Sequence, residues 1–102
     1  MQKNPMADSN MLGSPVNVIS YDSSSNKYTF PSDGYVNIIS SYAYSGSTAI
    51  VIMGANNTSS FVIRANSTSS GSDANGIFVK KGMQCYLAEK NTGSSAYYYP
   101  FN

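Results

Sequence analysis

No window of this chain stays free of glycine, serine or asparagine for long enough to hold a stable helix. Apolar and aromatic residues come instead in eight short runs: 16–20, 26–30, 34–44, 47–54, 60–65, 75–80, 83–89 and 95–101. The connectors between them are polar and turn-prone, among them "ANNTSS", "NSTSSGSDAN", "KG" and "KNTG". In 60–65, Phe61, Ile63 and Ala65 alternate with Val62 and Arg64, the period-2 pattern of a half-buried strand. This punctuation predicts an all-β fold, an antiparallel β-sandwich of about eight strands.

Two corners are readable in advance. In "YTFPSDGYVNIIS", Pro31 fixes φ and removes a backbone donor, so the second strand ends there. Gly34 is expected to hold positive φ and let the chain re-enter the sheet. Lys81-Gly82 reads as a tight hairpin corner.

The chain has 102 residues, which suits one domain. Residues 1–15 hold few core candidates and read as an N-terminal arm or linker, with the sandwich over 16–102. Charged residues are 11%, against roughly 25% in an average soluble protein, so Ser, Asn and Thr must supply the polar surface. The net charge of +1, with only Lys80-Lys81 adjacent, argues against nucleic acid or an anionic membrane as partner. No apolar run reaches the roughly 18 residues of a membrane span, and residues 1–10 lack the apolar block of a secretory leader. Cys85, the sole cysteine, reads as a small buried hydrophobe.

The chemistry of the side chains points away from catalysis. There is no histidine, which removes Ser/His/Asp triads, Cys/His pairs and the commonest metal-ligand sets. Asp8, Asp22, Asp33, Asp73 and Glu89 fall in turns or at strand ends. Asp73 and Asn75 offer too few oxygens for calcium, which takes about six to eight. The expectation is a non-enzymatic protein with no cofactor and no metal.

Two features suggest binding. Run 49–53, "AIVIM", is apolar at every position, and the last run carries Tyr97, Tyr98, Tyr99 and Phe101. A two-layer sandwich faces water on its outer sides, so strands apolar on both faces suggest a subunit interface. Ile50, Ile52, Tyr97, Tyr99 and Phe101 are its candidates. Separately, tyrosine occurs nine times and tryptophan never. Tyr42 and Tyr44, beside neutral hydrogen-bonding groups such as Asn57 and Asn66, are the candidate ligand-binding residues.

The order of these pieces resembles a known family. "YTFPSDGYVNIIS" is similar to the element in C1q/TNF-like jelly rolls where an aromatic strand reaches a proline, turns and restarts. "GIFVKKGMQCYL" is similar to their late hairpin, and "SAYYYPF" to their aromatic closing strand. The resemblance covers roughly residues 16–102. The Ser-, Asn-, Gly- and Tyr-rich, charge-poor composition looks like the small head domains of bacteriophage tail fibres and other virion fibres. The resemblance implies a homotrimer and a role in attachment to a bacterial surface glycan or protein, or in virion assembly. It implies a location on the virion, or otherwise on the bacterial extracellular surface. The alternatives are a stand-alone carbohydrate-binding module and a virion decoration or bacterial surface protein without ligand.

Overall fold

All eight expected strands form. The computed structural model describes residues 13–57 and 59–102. The strands are β1 (Val16–Asn17), β2 (Tyr28–Thr29), β3 (Gly34–Ser40), β4 (Gly46–Met53), β5 (Ser60–Ser67), β6 (Asp73–Val79), β7 (Gln84–Glu89) and β8 (Ser95–Pro100). One 3₁₀ turn, Ala55–Asn57, joins β4 to β5, and within it Asn56 takes a left-handed φ of 62° that asparagine tolerates. The first three strands are clearly shorter than the sequence suggests, β1 and β2 having two residues each. The third ends at Ser40, which leaves Tyr42 and Tyr44 on a loop. The arm expected over 1–15 falls, for residues 1–12, outside the described residues. Gly13 already donates its N–H to the Pro100 carbonyl at 2.6 Å, so contact with the last strand begins before β1.

The strands make two four-stranded sheets, ordered β1-β8-β3-β6 and β2-β7-β4-β5. All pairs are antiparallel. Only β4 to β5 connects neighbours within a sheet; every other connection crosses to the other layer. This interleaving is the strand order of a jelly roll. It gathers the connections β1–β2, β3–β4, β5–β6 and β7–β8 at one end. The Pro31–Asp33 corner, the 3₁₀ turn and Lys81-Gly82 lie at the other.

The core lies between the layers. Val18, Phe30, Val36, Ile38, Ile50, Ile52, Ala65, Val79, Cys85, Leu87, Ala96 and Tyr98 form one buried cluster. Alternation along each strand decides which residues enter it: opposite partners Thr48↔Ala65, Ile50↔Ile63 and Ile52↔Phe61 share the inward face. Phe61 reaches the rim of the sandwich, and Ile63 packs against the cluster. Tyr98 is the largest fully buried side chain. Its ring packs on Phe30 at 4.8 Å. Its hydroxyl donates to the Ser32 carbonyl at 2.6 Å and lies 2.9 Å from the Ser32 hydroxyl. A buried phenol is thereby satisfied by the proline corner itself.

The same corner is tied at three further points. Asp33 Oδ1 accepts from the Lys81 N–H at 2.9 Å, and the Asp33 carbonyl accepts from the Phe101 N–H at 2.9 Å. The Phe30 carbonyl accepts from the Gly82 N–H at 2.9 Å. Gly82 has φ 89°, as the second central residue of a type II turn requires, and Met83 N–H closes the turn on the Lys80 carbonyl at 3.1 Å. The turn is tight as expected but is not a hairpin: β6 and β7 belong to different sheets, so it carries the chain from one layer to the other. Gly34 differs from expectation: it does not have positive φ. Glycine is needed there for space, because an added Cβ falls 2.5 Å from Tyr98 Cε1 and 2.5 Å from the Tyr99 carbonyl oxygen.

Cys85 is buried on the inward face of β7, opposite Ile52, and burial pushes its thiol up to about 12. A neutral thiol in the core is inert. At pH 8 native protein should therefore resist a disulfide reagent such as DTNB, and react within seconds once unfolded in guanidinium. Fast labelling without denaturant would place the thiol at the surface. The shift also has a sign: the contribution is complete below the thiol's ordinary pKa and is lost as pH climbs from there toward 12.

Candidate functional site

Three surfaces are candidates, and they are best built from strand register. On the outer face of the β1-β8-β3-β6 sheet, Tyr35 stands opposite Phe78 on one side and Tyr99 on the other. Asn37 stands between Gly76 and Tyr97, and Ile39 between Ala74 and Ser95. Opposite residues share a face, so these side chains form one patch. Tyr35, Phe78 and Phe101 touch in series, at 5.2 Å and 6.0 Å, and Tyr97 and Tyr99 form a second ring pair at 6.3 Å. The Tyr35 ring lies over Gly76, where an added Cβ would fall 2.0 Å from its hydroxyl oxygen. Phe78 is 59% exposed and Ile39 39%. Tyr35, Tyr97, Tyr99 and Phe101 are half-buried. No strand residue pointing outward here is charged.

Tyr97, Tyr99 and Phe101 thus come together on an outer face, as their candidacy for a subunit interface requires. Ile50 and Ile52 do not. Both are fully buried between the sheets and have no surface left to offer another chain. The reverse side of β4 is also covered from within. Ala49 lies between Arg64 on β5 and Glu89 on β7. Those two side chains pair above it at 2.6 Å, and the Ser47 hydroxyl donates to Glu89 Oε2 at 2.5 Å. Val51 is flanked by Val62 and Tyr86 and is 9% exposed. The doubly apolar run reflects a central strand whose small outward residues sit below longer neighbours. The Ser47 hydroxyl, then the Arg64 guanidinium, hold the Glu89 carboxyl below the usual carboxylate range. That contribution is present at neutral pH and is lost as pH falls through the lowered value. It is small, because the group is exposed.

The third surface is the loop end of the sandwich. Beneath it lies a polar network. Ser40 and Ser67 share a hydroxyl contact at 2.8 Å. The Tyr44 carbonyl accepts from both Ser67 Oγ and Asn91 Nδ2, each at 2.6 Å. Asn91 Nδ2 also donates to Ser40 Oγ at 3.1 Å. Thr48 Oγ1 lies 2.5 Å from Ser94 Oγ, which bonds in turn to the Asn91 carbonyl. Among the described residues no buried side-chain polar atom is left without a partner.

Of the proposed ligand-binding residues, Tyr42 and Tyr44 sit together on the β3–β4 loop, 61% and 49% exposed. Asn66 lies near this end of β5, exposed, its backbone N–H donating to Asp73 Oδ2 at 2.9 Å. Asn57 lies in the 3₁₀ turn at the opposite end. The strand β4 separates the two ends by about 20 Å, so the four residues cannot form one site. Sequence reading missed Tyr35, Ile39 and Phe78. Their alternation was legible in "YVNII" and "IFV", but which parity faces outward depends on partners distant in the chain.

Among the described residues, no three His, Cys, Asp or Glu side chains gather where they could hold a metal ion, and no helix is long and apolar enough to cross a membrane. No protein family, curated protein or solved structure matches the chain.

Proposed function

We propose that this chain is a non-enzymatic, trimeric head domain of the C1q/TNF-like kind, carried on a phage fibre or comparable surface appendage. Its role is attachment to a bacterial surface or assembly of the virion. The observation that carries the reading is the aromatic outer face of the β1-β8-β3-β6 sheet. Phe78, 59% exposed, stands among Tyr35, Tyr99 and Phe101 with no charge between them. A monomer seldom leaves such a contiguous patch in water, and aromatic-rich, charge-depleted centres characterise protein interfaces. The threefold symmetry comes from the resemblance in "YTFPSDGYVNIIS" and "SAYYYPF". The second reading, a stand-alone carbohydrate-binding module, is favoured by exposed Tyr42 and Tyr44 and requires a monomer.

Light scattering behind a sizing column separates the two. The expected mass is three times 10.9 kDa, independent of concentration in the micromolar range. Phe78→Asp should give a folded monomer, since a carboxylate at an exposed position leaves the monomer intact but is stranded in an interface. Val62→Asp, half exposed on the opposite sheet, should stay trimeric. A wild-type monomer, or a Phe78→Asp trimer, sinks the proposed interface.

A further inference from the structure

We propose that the loop end around Tyr42 and Tyr44 is a binding platform for a neutral saccharide. The inference deepens the attachment reading and rests on it for its biological setting, but its geometry is independent of the sheet face.

Three connections converge on Tyr44. The β3–β4 loop carries it, β5 ends at Ser67 beneath it, and the β7–β8 loop supplies Asn91 and Gly93. Residues 40–46, 67–72 and 91–95 read "SSYAYSG", "STSSGS" and "NTGSS". None of them is charged, and most carry a hydroxyl or an amide. The charges at this end stand at the margins of these segments and are engaged: Lys90 pairs with Asp22 at 3.2 Å, and Asp73 Oδ2 accepts from the Asn66 N–H at 2.9 Å.

The two rings are exposed, yet their loop is fixed. Tyr42 is tied through its backbone N–H to Ser72 Oγ at 2.8 Å. Tyr44 N–H closes a turn on the Ser41 carbonyl at 3.2 Å. The Tyr44 carbonyl takes two short bonds from buried or half-buried side chains below. The Tyr44 ring rests on Gly93, whose φ of 80° and lack of a side chain admit it: an added Cβ would fall 2.9 Å from Tyr44 Cδ2. Gly46, at φ 150°, likewise leaves room for the Asn91 amide.

An apolar plug would close this end of the core at least as cheaply as a network of Ser40, Thr48, Ser67, Asn91 and Ser94. What the network adds is a rigid loop that presents rings to solvent. Rigid rings lose little entropy on binding, and pre-formed geometry is where affinity is gained. The ligand that matches is uncharged, has apolar C–H faces to lie on tyrosine, and has many hydroxyls for Ser, Thr and Asn. A saccharide without acidic groups has all three. Nucleic acid and acidic glycans need clustered cations, whereas the lysine of the β7–β8 loop, Lys90, is already paired with Asp22 at 3.2 Å.

The test uses the whole protein on an array of neutral oligosaccharides built from glucose, galactose, mannose, rhamnose and N-acetylhexosamines, with sialylated and uronic-acid glycans alongside. The wild type should retain at least one neutral glycan, with affinity unchanged between low and high salt. Calorimetry with that glycan should show about tenfold weaker binding for Tyr42→Ala and for Tyr44→Ala. The melting temperature and molar mass should stay at wild-type values, and Tyr44→Phe should bind nearly as well as wild type. A blank neutral array, retention of acidic glycans only, or tyrosine variants that bind like wild type would each overturn the inference. The trimer is judged apart: a monomer that binds through Tyr42 and Tyr44 keeps the saccharide site and sinks the trimer, while a trimer with a blank array does the reverse.

Discussion

Ile52→Asp should abolish soluble folded protein. Ile52 is fully buried near the C-terminal end of β4, opposite Phe61 on one side and Cys85 on the other. No cation belongs to the buried cluster to receive a carboxylate there. An unpaired charge in such a place costs about 3–5 kcal/mol or more, and the lost packing of the isoleucine adds about 2–5 kcal/mol. A domain this size has roughly 5–15 kcal/mol in total. The conservative Ile52→Val should lose only about 1 kcal/mol and remain folded, which separates charge from loss of shape. Soluble yield and guanidinium midpoints report both. A soluble Ile52→Asp protein with the wild-type midpoint would mean that β4 turns its other face to the core.

Gly34→Val should lose about 3 kcal/mol or more, a fall in melting temperature of roughly 10–20 °C. The clash is with the Tyr99 carbonyl and Tyr98 ring, each 2.5 Å from the added Cβ, and with Pro100 Cα at 3.1 Å. The carbonyl is backbone and cannot move without opening the β3–β8 ladder at Gly34↔Pro100. Gly82→Ala provides the contrast. There φ is 89° and the nearest atom is 4.0 Å away, so the penalty is conformational alone, about 1 kcal/mol. Gly34→Ala should therefore cost clearly more than Gly82→Ala in thermal melts. Equal costs would show that the β3–β8 junction has slack that the distances deny.

The two expectations that fared differently at these glycines show where local reasoning reaches its limit. Lys81-Gly82 is a turn closed by neighbours in sequence, Lys80 and Met83, so its tightness was readable from four residues, whereas the expected hairpin pairing of β6 with β7 gave way to a crossing between sheets. Gly34 owes its identity to Tyr98 and Tyr99, far along the chain, and no local pattern announces them. The surface residues divide the same way. Tyr97, Tyr99 and Phe101 belong to a run with no polar face, so some of them had to face outward. Ile50 and Ile52 belong to an equally apolar run, yet lie inside, because Arg64, Glu89, Val62 and Tyr86 on flanking strands roof its other side.

The all-β class, the eight strands and the places where the chain turns were legible along the sequence, because period-2 alternation and Gly, Pro, Asn and Ser act over a few residues. Composition, which needs no fold, likewise made the chain histidine-free and charge-poor. Which parity of each strand is buried, and which strands are neighbours, came only from long-range packing. It alone brought Tyr35, Phe78, Tyr99 and Phe101 into one patch, and parted Asn57 from Tyr42 and Tyr44 by the length of the sandwich. The physical reason is that a strand's two faces are equivalent until partners from elsewhere in the chain cover one of them.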